Sequence, residues 1–152
     1  MVQGLIAHTG GLFWNLSADV GPGQPNRPDD VELVRFGYFL MKDNPKATAG
    51  PFAALKPVLQ KVTPSGPFGD DLAEAIRTHQ RLRGGTQDGR VSVAKDNRFN
   101  RGEYDGKHAW MVFPLNNSMI DMAPTLYPRI DLQPQSGPAM RATVRRICLH
   151  GG

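Results

Sequence analysis

Apolar residues recur at helical spacing in two stretches of the chain. In the first, Val31, Val34, Tyr38 and Met41 form one stripe, and Leu33, Phe36 and Leu40 form a neighbouring one. So wide an apolar surface predicts a helix buried on more than one side. Its start is set near Pro28, because a first turn has no use for the N–H that proline lacks. Asp29, Asp30 and Glu32 then place negative charge at the positive end of the helix dipole, and Asn44-Pro45 ends the segment. In the second stretch, Leu72, Ala75, Ile76, His79 and Leu82 follow the i, i+3, i+4, i+7 pattern. They predict a helix from about Asp70 to Arg83, capped by Gly69 or Asp70 and stopped by Gly84-Gly85. Arg77, Gln80 and Arg81 fall largely on its other faces.

The remaining segments are less regular. Residues 1–27 read as an arm broken by Gly10-Gly11 and Gly21-Pro22-Gly23-Gln24-Pro25, with Leu12-Phe13-Trp14 between them expected to dock on the core. In 45–64, Pro51 and Pro57 each open a short helix, since a single helix would hold Pro57 in its interior at a cost of about 3 kcal/mol. Asp88-Gly89 predicts a tight turn into a short strand over 90–93. Residues 95–107 are polar and loop-like. Trp110–Phe113 and Met119–Met122 read as two strands joined through Pro114-Leu115-Asn116-Asn117-Ser118, and Ala139–Leu149 fits helix or strand.

Composition narrows the class. A chain of 152 residues suits one domain, and its 39% hydrophobic and 21% charged content fits a folded globular protein. Glycine (17) and proline (13) are too frequent for a pure helical bundle and call for long ordered loops. The net charge of +4 draws the molecule towards polyanions, nucleic acid or an anionic wall polymer. The positive residues cluster only as Arg77, Arg81, Arg83 and Arg90, and as Arg141, Arg145 and Arg146. Aromatics are not interleaved with them, so nucleic-acid binding is not expected. Cys148 is the only cysteine; this excludes an intramolecular disulfide and a four-cysteine zinc site, and its neighbours Ile147 and Leu149 mark it as a structural thiol. No apolar run is long enough for a membrane span, and residues 1–8 lack the basic start and continuous apolar stretch of a signal peptide. Synthesis in the cytoplasm is expected, with any action at a wall or in a periplasm reached by a non-classical route such as a lysis event or secretion device.

Two motifs carry a resemblance. The first is Asp19-Val20-Gly21-Pro22-Gly23-Gln24-Pro25-Asn26-Arg27-Pro28-Asp29-Asp30-Val31-Glu32-Leu33-Val34. The second runs from Ser65 through Gly66, Phe68, Gly69, Ala75, Ile76 and Gln80 to Asp88-Gly89-Arg90-Val91. Over 19–34 and 65–91 the chain resembles peptidoglycan-binding-like modules, with a helix-entry motif in the first segment and a glycine-loop-plus-helix motif in the second. Ser65, Leu72 and His79 depart from the residues usual in that family, aspartate, threonine and phenylalanine, and the connection between the two helices is longer. The resemblance implies a mainly α fold with a compact helical core at 19–93; the flanking residues read as an N-terminal arm at 1–18 and a β or irregular C-terminal elaboration at 94–152 packed on that core. It further implies a non-catalytic module that recognises peptidoglycan or a similar anionic glycan polymer. Asn26, Arg27, Phe68, Asp70, Arg77, Asp88 and Arg90 are its candidate contacts; polar side chains would bond glycan or peptide, and arginine would pair with a stem-peptide carboxylate.

No catalytic constellation accompanies these motifs. His8, His79, His108 and His150 show no HExxH spacing, no glycine-rich segment precedes a Lys-Ser/Thr pair, and Glu32, Glu74 and Glu103 are not singled out as a glycosidase pair. No enzyme, cofactor or metal is expected. The alternative reading is an adaptor or structural protein of a phage or secretion apparatus that reuses the fold. Asn97 to Lys107, polar and dotted with aromatics, reads on composition first as an ordered connection and second as a ligand or partner surface.

Overall fold

The computed structural model describes residues 3–6, 12–94 and 110–150. The 95–107 segment, His8, Glu103 and His108 lie outside them, as does the side chain of His150. A two-stranded antiparallel ribbon, β1 (Gln3–Ile6) and β2 (Leu12–Asn15), pairs Gly4 with Trp14 and Leu5 with Phe13. Six helices follow: α1 (Pro28–Met41), α2 (Pro45–Thr48), α3 (Leu55–Leu59), α4 (Asp70–Leu82), α5 (Val112–Met122) and α6 (Pro138–His150). Short 3-10 turns at Gly50–Phe52 and Ile130–Leu132 complete the described elements.

α1 is the axis of the molecule. Every residue from Asp29 to Tyr38 is buried, as the double apolar stripe predicts. α5 and α6 form its most extensive packing, and α3 closes a further side and carries α4. Gly37 permits the close approach of α5: a Cβ there would stand 2.9 Å from Leu115 Cβ and 3.2 Å from Met119 Cε. One hydrophobic cluster runs from Phe13 and Trp14 through α1, α3 and α4 to Met140 and Val144 on α6. The expected docking of the Phe13-Trp14 piece is complete, with Trp14 at 0% exposure and its indole N–H donating to the Pro128 carbonyl at 2.9 Å.

The acidic first turn of α1 does more than face a dipole. Glu32 accepts from the Ala139 N–H at 2.8 Å and so caps α6. Asp29 accepts from the Thr143 hydroxyl at 3.0 Å. Asp30 accepts from the Ser17 N–H and hydroxyl and from the Ala18 N–H; burial outweighs these bonds and raises its carboxyl above the ordinary value.

Three sequence expectations are corrected. Residues 112–122 form one helix, not two strands, and the C-terminal part is helical rather than β or irregular. Pro114 falls in the first turn of α5, where no intrahelical partner is lost. Val112, Leu115, Asn116 and Met119 then make a buried helical stripe. Asn116, which reads as a turn residue in sequence, donates its amide to the Trp14 carbonyl at 2.8 Å and accepts from the Trp14 N–H at 2.8 Å. The strand expected at 90–93 is reduced to a single bridge, Val91 with Val20, closed by bonds of 3.0 and 2.7 Å.

Candidate functional site

α4 carries a glycine-rich loop at each end, and each loop is pinned to an arginine or a carboxamide. At the N-terminal end Gly69 is the N-cap and Asp71 sits in the first turn. Arg35, on α1 and only 4% exposed, reaches this end. Its guanidinium donates to both Asp71 carboxylate oxygens at 2.8 and 3.0 Å, to the Pro67 carbonyl at 2.6 and 2.9 Å, and to the Thr63 carbonyl and hydroxyl. The bond with Arg35 outweighs burial and holds the Asp71 carboxyl below the usual carboxylate range. The 63–69 loop is thus wrapped around a buried cation. Phe68 is half-buried and packs against the core; Asp70 is exposed.

At the C-terminal end the 19–26 and 88–91 loops meet. Gly21 is required there, because a Cβ would lie 2.8 Å from Arg90 Cα. Asn26, with φ +48°, takes the left-handed conformation that asparagine tolerates. Its amide closes the first loop by donating to the Gly21 carbonyl and accepting from the Gly21 N–H, both at 2.8 Å. The second loop is held by Gln80. Its amide donates to Asp88 Oδ1 at 2.9 Å and to the Arg90 carbonyl at 3.0 Å, and accepts from the Gly89 N–H at 2.9 Å. Gln80 is accordingly buried rather than on an outer face, because three bonds satisfy its amide there. Burial opposes the Asp88 charge, but the Arg90 N–H, the Gln80 amide and the Arg90 guanidinium together hold its carboxyl below the ordinary value.

Arg90 stands 3.9 Å from both Asp19 and Asp88. Arg77 is exposed and lies on the Gly89 turn: a Cβ on Gly89 would meet Arg77 Nε at 3.2 Å and Cζ at 3.5 Å. Arg27, exposed, precedes α1 and makes no side-chain cap bond. The structure therefore brings Asn26, Arg77, Asp88 and Arg90 together, with Arg27 next to Asn26 in the chain. Phe68 and Asp70 belong to the opposite end, ten residues or about 15 Å along the helix. The supporting residues Gln80, Asp19 and Gly21 are not among the sequence-derived contacts. Their signal is the Asp88-Gly89 turn lying within reach of a glutamine one turn from the helix end.

On the inner side of the last turn of α4, Tyr38 and His79 form a buried pair with the phenol oxygen 2.9 Å from His79 Nδ1. Burial, with Arg83 adding to it, pushes the imidazole down to about 3, so His79 is a neutral core group. Burial raises the Tyr38 phenol despite Arg83. Cys148 is half-buried, and burial, the largest influence on it, raises its thiol. Among the described residues, no group of three or more His, Cys, Asp or Glu side chains is placed to hold a metal ion, and no helix is long and apolar enough to cross a membrane. No protein-family model, curated protein or solved structure matches this chain.

Proposed function

We propose that this chain is a non-catalytic recognition module for peptidoglycan, and that it binds through the C-terminal end of α4. The observation that carries the reading is the exposed Arg77 guanidinium laid on a turn that Gln80 and the Val20–Val91 bridge hold in place. Preorganisation of this kind lowers the ordering cost of binding, and a guanidinium fork matches a stem-peptide carboxylate. The 19–26 loop of the first resembling segment and the 88–91 turn of the second meet at this junction, which supports the same reading.

Charge supports peptidoglycan over nucleic acid. Arg83 turns inward to Met111 Sδ at 2.9 Å. Arg141 is drawn to the carbonyls of Gln133, Pro134 and Ser136. Arg90 is shared between two aspartates. Three of the seven clustered arginines are thereby drawn into the fold, which leaves a polyanion fewer charges to pair with.

Co-sedimentation with isolated sacculi at low and high salt tests the proposal. Salt-resistant pelleting that Arg77→Ala abolishes is the expected result. No pelleting, or pelleting that salt removes and the variant leaves unchanged, overturns it and directs the search to a protein partner in a lysis or secretion apparatus.

A further inference from the structure

Resting on the recognition reading, we propose that Arg77 and Arg81 form a carboxylate subsite for a peptide, and that Arg90 braces the neighbouring loop without touching ligand. Arg77 and Arg81 are four residues apart on α4, so they are neighbours on one face, and both are exposed. Neither side chain makes a hydrogen bond or ion pair with another described residue. Arg77 also lies against the Gly89 turn. Gly89, at φ +71°, meets two demands at once: the turn takes a conformation that side chains rarely adopt, and the bare Cα leaves room for the guanidinium.

Arg90 differs in its surroundings. Asp19 and Asp88 flank it at 3.9 Å each, and its backbone is tied to Gln80 and Asp88. A ligand carboxylate would meet two resident carboxylates beside that guanidinium. The same aspartates disfavour a dianionic phosphate, whose charge they repel more strongly than that of a monoanionic carboxylate. The mixed-sign surface suits a singly charged peptide carboxylate better than a phosphate monoester.

Isothermal titration of the full chain tests the subsite with three probes: a soluble disaccharide-tetrapeptide muropeptide, the same muropeptide with its carboxylates amidated, and a glycerol-phosphate oligomer. Amidation should weaken binding about tenfold or more, the scale of a lost charged hydrogen bond. Arg77→Ala and Arg77→Lys should both do the same, because lysine keeps the charge but not the fork, whereas Arg90→Ala should shift affinity less than about threefold. Circular dichroism of each variant confirms that the fold is kept. Equal binding of the amidated probe, or an Arg90→Ala loss as large as that of Arg77→Ala, overturns the subsite and leaves wall recognition standing. Preference for the glycerol-phosphate oligomer overturns carboxylate selectivity. Failure to bind sacculi or any probe sinks the recognition reading and the subsite with it.

Discussion

The two ends of α4 use the same parts for opposite purposes. Each joins a glycine-containing loop to an arginine and an aspartate. At the N-terminal end Arg35 is buried, and the fold takes up its donors through Asp71, Pro67 and Thr63. At the C-terminal end a neutral amide, Gln80, holds the turn with Arg90 beside it, and Arg77 remains on the surface. A charge used as a brace cannot also serve as a contact. Where an uncharged group braces the loop, a charge is left on the surface, and the proposed contact uses it.

The largest expected effect comes from removing the buried brace. Arg35→Ala leaves Asp71 and two carbonyls without their partner and should cost about 3–5 kcal/mol in urea denaturation. A loss below about 1 kcal/mol would remove the contrast between the ends.

Acid attacks the buried His79 in the last turn of α4. His79 is neutral when folded, with its pKa pushed down to about 3, while the unfolded imidazole titrates near the ordinary 6.5. The unfolded chain therefore binds the extra proton, and stability is lost as pH falls from about 6.5 towards 3, by up to about 4 kcal/mol. Asp71 adds a loss of the same sign at lower pH, since Arg35 depresses its carboxyl. The double variant Tyr38→Phe/His79→Leu should flatten the dependence between pH 6.5 and 4 in thermal melts, leaving the Asp71 part. An unchanged slope would show that His79 is not the group responsible.

Gln80→Ala should cost about 1–3 kcal/mol by orphaning the Gly89 N–H and releasing the Asp88–Arg90 turn. It should weaken wall binding as well, while Arg35-dependent packing persists. Gly37→Ala is expected to cost about 1–3 kcal/mol, because its methyl would press on Leu115 and Met119; calorimetric melting measures both. The smallest stability effect belongs to Arg77→Ala, within about 0.5 kcal/mol of the parent chain. A large loss there would make Arg77 a second brace.

How much of this could be read from the sequence depended on the distance over which each residue works. α1 and α4 were legible because the stripes Val31–Met41 and Leu72–Leu82 are local patterns. α5 was not: Pro114 and Asn116-Asn117-Ser118 look like a turn until Trp14, about a hundred residues earlier, supplies the partner for Asn116. The same holds for Asn15, whose amide pairs with both backbone groups of Ala94. At the site, Asn26, Arg77, Asp88 and Arg90 were legible as polar loop and helix residues. Which arginine is a brace and which is free was not, because that follows from burial and from the positions of Asp19, Asp71 and Gln80.

The central claim is that ligand contact belongs to the C-terminal end of α4 and support to the N-terminal end. Backbone amide chemical shifts recorded on adding a soluble muropeptide test it most directly. The account predicts shifts confined to residues 19–27, 77–81 and 88–91, lost in Arg77→Ala. Shifts centred on 63–71 or on α6, or none at millimolar muropeptide, would contradict it.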